Sequence, residues 1–141
     1  MTDTLHGFLE GLWSLQRAGH DRRTGDISIF TGTASFVPDS NALLYTERVT
    51  WTAAGQTLHG HRSYRFTFTG PWSAQVWFLD GRFFHALNMR QNAATVVHTC
   101  PPDHYTGWYR LDGTGTYTTH WTIQGPRKNI DLHTRYQRRN R

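Results

Sequence analysis

The sequence predicts an all-β protein of one domain, and three observations support this fold class. Segments in which apolar and polar residues alternate recur at intervals of roughly 8–12 residues. Turn-forming Gly, Pro, Asp and Asn residues separate these segments. No helical pattern of about 10–15 residues lies between them, which excludes a parallel α/β sheet. The 141 residues also match the length of one ordinary domain.

The first predicted element is a short helix. Within residues 4–11, the side chains of Leu5, Phe8 and Leu9 are spaced to share one helical face. The first alternating run begins directly afterwards, at Leu12. The sequence therefore predicts one or two helical turns ahead of the first strand.

Alternating segments and the turns between them predict about ten antiparallel strands. The charged turn 21–25, the turn 38–41 and the Asp80–Gly81 hairpin signal mark boundaries between strands. The predicted strands span residues 12–18, 26–37, 43–52, 57–69, 74–79, 82–89, 94–100, 107–111, 115–124 and 129–138. Strand periodicity alone is compatible with either a sandwich or a barrel.

Composition and charge exclude several classes of protein. Aromatic residues make up 14% of the chain, which excludes a disordered polypeptide. No apolar run approaches the roughly 20 residues of a membrane-spanning helix. Cys100 is the single cysteine, and the first residues lack the apolar core of a secretory signal. These features predict a cytoplasmic protein without an internal disulfide.

The positive charge is concentrated at the C-terminus. The formal net charge is +5, and Arg138, Arg139 and Arg141 contribute three of the positive charges. We therefore predict a near-neutral domain over residues 1–138 and a basic tail over 139–141. A basic tail on such a domain is only weak evidence for nucleic-acid binding, and a solvated tail is the preferred interpretation. A nucleic-acid-binding barrel driven by the tail is a third function class beside the two described below.

Gly11-Leu12-Trp13, at the start of the first strand, resembles the G-x-W motif of the calycin superfamily, which includes lipocalins, fatty-acid-binding proteins and nitrobindin-like barrels. The resemblance implies a single antiparallel up-and-down β-barrel. It also implies that Trp13 closes one end and that a basic residue of the last strand packs across its ring. Arg135 is the first candidate for that residue and Arg138 the second.

The chain is also similar to a family of short, mainly bacterial, calycin-like proteins catalogued as a domain of unknown function. The similarity extends over about residues 7–138. The matching segments are residues 11–17, 80–85, 98–107, 121–129 and 134–136. This resemblance implies the barrel fold and assigns no activity.

The densest group of polar side chains lies in residues 98–105. His98 and Cys100 are two residues apart and so share a strand face, whereas His104 is expected in the following turn. Histidine and cysteine are zinc ligands, but a structural zinc site needs four ligands with paired spacing. We therefore assign no metal. Tyr105 completes the group.

Two further histidines are candidates for a haem ligand, because the nitrobindin resemblance implies a barrel histidine bound to iron. His85 follows two phenylalanines, and His133 lies on the last strand. The alternative for each is a hydrogen-bonded histidine at the barrel rim. The sequence indicates no particular cofactor.

Two cations are candidates to bind an anionic group. Arg65 would line the lumen if the polar face of strand 57–69 points inward, but the aromatic face of that strand is the better inward face. Lys128 is the only lysine and follows a tight turn, where a solvated cation is the alternative to a ligand-binding one.

The sequence predicts a barrel that binds a small, largely apolar molecule carrying an anionic or hydrogen-bonding group. The residues predicted to bind it are His85, His98, His104, Tyr105, Lys128 and, conditionally, Arg65. The alternative is an isomerase, lyase or hydrolase in the same barrel, with His98 or His104 as general base and Tyr105 as acid. That alternative requires a histidine and Tyr105 to face a common space, with Asp103 as a candidate third group.

Overall fold

The computed structural model describes residues 3–139. Within that range the chain forms one short helix, α1, and ten strands. The helix spans Leu5–Leu9. The strands are β1 Gly11–Asp21, β2 Ile27–Asp39, β3 Ala42–Ala53, β4 Gln56–Gly70, β5 Ser73–Phe78, β6 Phe83–Asn88, β7 Ala93–Cys100, β8 Asp103–Leu111, β9 Thr116–Gly125 and β10 Lys128–Arg138. The predicted fold class is therefore confirmed.

The strands form one antiparallel sheet that curls into an almost closed barrel. Its order is β6-β5-β4-β3-β2-β1-β10-β9-β8-β7, so each strand pairs with its neighbour in the chain and β1 pairs with β10. In the described residues, β6 and β7 face each other without a backbone ladder. This gap between β6 and β7 is referred to below as the seam.

Strand alternation divides the residues between the barrel interior and its outer surface. On β1, Trp13, Leu15 and Arg17 are buried, and the residues between them are exposed. The core consists mainly of such inward side chains, and many of them are aromatic. Aromatic side chains thus form much of the packed interior of the barrel.

Helix α1 and the indole of Trp13 close one end of the barrel. Trp13 is fully buried, and its Nε1 donates a hydrogen bond to the Leu9 carbonyl at 2.8 Å. The guanidinium that lies over the ring belongs to Arg138, and it also donates to the carbonyls of Phe8 and Glu10. The expectation that Arg135 makes this contact is wrong, because Arg135 is on the outer face and pairs with Gln16 instead.

The barrel extends one residue beyond the predicted boundary between domain and tail, because Arg139 also contacts it. Arg138 belongs to the closed end of the barrel, and the backbone N–H of Arg139 donates to the Leu12 carbonyl at 2.9 Å. The last two residues of the predicted tail, 140 and 141, lie outside the described residues.

The start of β8 differs from the sequence prediction. The strand begins at Asp103 rather than at Gly107, because the Pro101–Pro102 turn is tight enough for pairing with β7 to resume at once. His104 is consequently a strand residue and not a turn residue. The strand boundary decides which way His104 and Tyr105 point, because consecutive strand residues face opposite sides.

Candidate functional site

A cavity of about 230 Å³ opens into the barrel from the end opposite α1. Its walls are largely aromatic. The rings that line it include Phe36, Tyr64, Phe66, Phe78, Phe84, Tyr105, Tyr109, Tyr117, Trp121 and Tyr136. Aliphatic contacts come from Ile123 and Leu132, and Cys100 lies in the lining at an exposed position near the β7–β8 turn.

Trp121 is part of the cavity wall. Its ring stacks on Phe84 with an interplanar angle of 12° and centroids 5.3 Å apart. On the adjacent strand β8 the ring lies against Gly107, where an added Cβ would approach the indole to 3.0 Å. A glycine at position 107 therefore allows Trp121 to lie close to β8.

A buried ion pair lies deeper in the lining. The two terminal nitrogens of Arg17 donate to the two carboxylate oxygens of Glu47, each at 2.8 Å. Arg17 Nε donates to Thr134 Oγ1 at 2.7 Å, and the hydroxyl of Tyr45 donates to Glu47 at 2.6 Å. Arg17 and Glu47 are both buried, and bidentate geometry with these added hydrogen bonds is what a buried ion pair requires.

This network keeps Glu47 ionised. Burial by itself would raise the pKa of the Glu47 carboxyl, but the hydrogen bonds and charge of Arg17, assisted by Arg62 and Tyr45, lower the pKa below its usual range. Burial raises the pKa of the Tyr45 hydroxyl, so that hydroxyl remains a hydrogen-bond donor. The carboxylate charge is thus balanced by Arg17 within the network.

Arg62 brings a second cation to the same carboxylate. Its Nε lies 3.4 Å from a Glu47 oxygen that Arg17 already occupies, and one terminal nitrogen donates to the Tyr64 hydroxyl at 3.4 Å. The Arg62 side chain is half exposed and belongs to the cavity lining. Since one carboxylate faces two guanidinium groups, this region of the cavity has an excess of positive charge.

Arg82 stands at the mouth of the cavity. It forms an ion pair with Asp80 at 2.9 Å, and its guanidinium lies 5.0 Å from the centroid of the Phe78 ring. Arg82 is therefore already matched by an acid, and Arg62 is the lining cation that leaves the positive excess.

His98 and Tyr105 face the cavity together. They occupy paired positions on β7 and β8, and their ring centroids are 5.7 Å apart. The Nδ1 atom of His98 lies 2.9 Å from the Phe84 carbonyl oxygen across the seam. The two residues thus share the space predicted for an acid–base pair, and the group that holds the histidine is Phe84 and not Asp103.

His85 is packed inside the barrel wall rather than in the cavity lining. A register shift between β5 and β6 turns both Phe84 and His85 inward. His85 Nδ1 lies 3.0 Å from the Ala86 carbonyl oxygen, and the Tyr109 hydroxyl lies 3.4 Å from its Nε2. Burial lowers the pKa of His85 to about 4, so the ring is neutral at pH 7.

Three other predicted ligand-binding residues lie outside the cavity. Arg65 projects from the outer face of β4 and forms an ion pair with Asp39 at 2.5 Å. Lys128 and Asp103 form an ion pair at 3.3 Å. His104 is exposed and lies 3.0 Å from the Thr99 hydroxyl oxygen. The expectation that Arg65 and His104 line the cavity is wrong. Their strand neighbours Tyr64, Phe66 and Tyr105 point inward, so by alternation Arg65 and His104 point outward.

The residues considered for metal or haem do not form such a site. His98 and Cys100 point inward and His104 outward, and residues 3–139 contain no group of three or more His, Cys, Asp or Glu side chains placed to hold a metal ion. Both ring nitrogens of His85 have partners, and His133 is exposed beside Trp108 and His120. Neither histidine is among the residues that line the cavity.

A family model described as a family of unknown function, DUF6314, matches residues 9–138. The chain belongs to this family. The predicted resemblance to a domain-of-unknown-function family of calycin-like barrels is therefore confirmed. No curated protein sequence matches the chain significantly.

Solved structures similar to this family member are also barrels. The S-type phycobiliprotein lyase of Guillardia theta superposes with a TM-score of 0.65 at 8% identity, over 96% of this chain and 91% of the lyase. A protein of unknown function from the DUF3598 family of Nostoc punctiforme gives a TM-score of 0.68 at 10% identity, over 99% of this chain and 51% of that protein. A structure of EF1p2_mFAP2b bound to DFHBI gives a TM-score of 0.52 at 14% identity, with 99% and 100% covered.

These similarities show a shared fold. Among the described residues, no helix has the length and apolar character needed to span a membrane.

The charged network of Arg17, Glu47 and Arg62 was not predicted from the sequence. A signal was present at Glu47, which falls between Tyr45 and Val49 in the apolar series of β3. A carboxylate on an otherwise apolar strand face requires a buried partner. Arg17 occupies the equivalent place on β1, after Trp13 and Leu15.

Proposed function

We propose that this DUF6314 protein binds a small, planar, largely aromatic molecule that carries an anionic group, and that the barrel cavity is its binding site. The observation that supports the proposal is the combination of an aromatic-walled cavity with a guanidinium, that of Arg62, whose charge exceeds what the nearby carboxylate can balance. Each part of the proposal follows from one property of the lining.

The walls favour a planar ligand. The Phe84 and Trp121 rings are stacked, and Phe78 stacks on Phe84 with centroids 4.7 Å apart. Because these rings already stack on one another, they would hold an inserted aromatic group mainly by edge-to-face contact. A cavity of about 230 Å³ has room for one or two fused rings.

The charges favour an anion. Glu47 already accepts two hydrogen bonds from Arg17 and one from Tyr45. Arg62 therefore retains donors for a ligand carboxylate or phenolate, and a guanidinium in a partly desolvated site binds such groups with directional hydrogen bonds.

The comparisons agree with a ligand-binding role at the level of fold. One similar barrel is a phycobiliprotein lyase, and another is a structure with the small molecule DFHBI bound.

A free, exposed Cys100 thiol also fits the cytoplasmic setting expected from the sequence.

Isothermal titration calorimetry with 1-naphthoate tests the proposal, with neutral 1-naphthalenemethanol as the matched probe. We expect 1-naphthoate to bind more tightly, and we expect Arg62→Met to weaken its binding by about tenfold or more, since a hydrogen bond to a charged group contributes about 1.5–3 kcal/mol. Arg65→Met is the control, because Arg65 lies on the same strand and points outward. The proposal is wrong if 1-naphthoate does not bind, or if the two variants weaken binding equally.

An acid–base enzyme in the same cavity is the second candidate, favoured by the pairing of His98 with Tyr105. A base at His98 would remove the proton α to a ligand carbonyl, leaving an enolate that Tyr105 could stabilise by donating a hydrogen bond. The test is hydrogen–deuterium exchange into 2-tetralone. Acceleration of about 100-fold that His98→Asn abolishes would support catalysis, and exchange at the uncatalysed rate would remove this candidate.

A further inference from the structure

The seam between β6 and β7 fixes the orientation of His98. These two strands share no backbone ladder within the described residues, and the side chain of His98 connects them. Its Nδ1 lies 2.9 Å from the carbonyl oxygen of Phe84. This distance is that of an ordinary hydrogen bond.

The partner of Nδ1 decides which ring nitrogen carries the proton. A backbone carbonyl can only accept a hydrogen bond, so Nδ1 must be the donor. In the neutral ring, Nε2 then has a lone pair and no hydrogen. The Phe84 carbonyl therefore sets His98 in the Nδ1–H tautomer.

The Nε2 atom of His98 is available to a ligand. His98 belongs to the cavity lining, and no residue within 3–139 makes a hydrogen bond to Nε2. In the described part of the chain, the one fully buried side-chain polar atom without a partner is Asn129 Oδ1, so the unpaired His98 Nε2 is not fully buried. Aromatic rings of Phe78, Phe84 and Tyr105 surround the imidazole at centroid distances of 5.1–5.7 Å.

We infer that His98 Nε2 is a specificity-determining acceptor, which selects cavity ligands that present an O–H or N–H donor. The inference rests on the proposed function and extends it, because Arg62 selects an anionic acceptor and His98 selects a donor. The preferred ligand class is therefore an aromatic acid that also carries a phenolic hydroxyl or a ring N–H. Ligands with an alkyl group in place of that donor leave Nε2 desolvated and unpaired, which disfavours them.

The test compares 2-naphthol with 2-methylnaphthalene, which has a methyl group of similar size in place of the hydroxyl. Dissociation constants are measured for the wild type, His98→Asn and Tyr105→Phe. Asparagine can keep the donor to the Phe84 carbonyl, and it removes the acceptor at Nε2. We expect His98→Asn to reduce the affinity ratio of 2-naphthol to 2-methylnaphthalene by about tenfold, the effect of losing one hydrogen bond of about 1.4 kcal/mol.

Tyr105→Phe tests whether the tyrosine hydroxyl, rather than His98 Nε2, pairs with the ligand hydroxyl. The ratio should stay close to the wild-type value in Tyr105→Phe if His98 is the acceptor. The inference is overturned if the ratio is unchanged in His98→Asn, or if Tyr105→Phe alone reduces it. Either result leaves the Arg62-dependent binding of 1-naphthoate untouched, so the inference can fail while the proposed function holds.

A measurement without ligand or variant tests the tautomer directly. In ¹⁵N NMR spectra at a pH where the ring is neutral, we expect a protonated, pyrrole-type resonance for His98 Nδ1 and a pyridine-type resonance for Nε2. The reverse assignment would place the hydrogen on Nε2 and overturn the inference.

Discussion

The guanidinium carbon of Arg138 lies 4.4 Å from the centroid of the Trp13 ring, and the two residues are paired across β1 and β10. The indole is fully buried and also contacts Phe8 and Tyr117. We predict that Trp13→Ala lowers the free energy of unfolding by about 3–5 kcal/mol, since truncating a large buried aromatic side chain leaves a cavity. Urea denaturation measures the change, and a loss below about 1 kcal/mol would show that Trp13 does not close the barrel.

Arg138 and Arg135 form a matched pair for testing the closed end. Arg138→Ala removes the cation above the Trp13 ring together with donors to two backbone carbonyls. We expect it to lower the free energy of unfolding by about 1–3 kcal/mol, and Arg135→Ala by less than about 0.5 kcal/mol. Equal effects of the two substitutions in the same denaturation assay would contradict the assignment of Arg138 as the closing cation.

The Arg17–Glu47 pair should be costly to break and much less costly to replace as a unit. Glu47→Leu alone leaves Arg17 buried without a carboxylate, and Arg17→Met alone leaves Glu47 with Arg62 at 3.4 Å in place of its bidentate partner. We expect each to cost about 3–5 kcal/mol of folding stability. The double variant Arg17→Met/Glu47→Leu should cost less than the sum of the two. Thermal or urea unfolding of the four proteins completes this double-mutant cycle.

The outer pair of Arg65 and Asp39 is the control for that cycle, because both side chains are about two-fifths exposed. An exposed ion pair contributes at most about 1 kcal/mol. If the Arg65→Met/Asp39→Leu cycle gave the same coupling energy as the buried pair, burial would not explain the Arg17–Glu47 interaction.

Folding stability should depend on pH through His85. Its pKa is about 4 in the folded barrel and about 6.5 in the unfolded chain. Between these values the unfolded state binds more protons, so stability rises with pH from about 4 to 6.5 and is fully present above 6.5. The full contribution is about 3 kcal/mol, from roughly 1.4 kcal/mol per pKa unit.

The His85 contribution is isolated by comparing the wild type with His85→Asn from pH 4 to 7. Asparagine can keep a donor to the Ala86 carbonyl and does not titrate. The difference in unfolding free energy between the two proteins should change by about 3 kcal/mol across this window. A constant difference would mean that His85 is not held in its neutral form by burial.

Alternation along the chain predicted the ten strands, although it placed the start of β8 at Gly107 rather than at Asp103. Contacts between distant strands could not be predicted from it. The aromatic face of β4 was correctly preferred as the inward face, and Arg65 consequently lies outside. Arg135 and Arg138 lie on opposite faces of β10, and the register of β10 against β1 places Arg138 beside Trp13. Register differences of this kind move a side chain to another neighbour or to the opposite face.

The candidate site was predictable only where its residues are close in the sequence. His98 and Tyr105 belong to one hairpin, so a short turn between them was enough to suggest that they meet. Arg17 and Glu47 come from different strands 30 residues apart, and Glu47 was passed over within an apolar series. The seam contact of His98 with Phe84 depends on barrel closure and has no signal in either strand.

The most direct test of ligand binding in the cavity is the indole region of a ¹H–¹⁵N correlation spectrum during titration with 1-naphthoate. Trp121 lines the cavity, whereas Trp108 lies on the neighbouring strand and contacts His120 and His133 on the outer face. We predict that the Trp121 indole N–H resonance shifts and saturates with added 1-naphthoate, that the Trp108 resonance stays in place, and that Arg62→Met moves the midpoint to about tenfold higher concentration. A saturating shift at Trp108 with none at Trp121 would contradict the account, because the ligand would then bind the outside of the barrel.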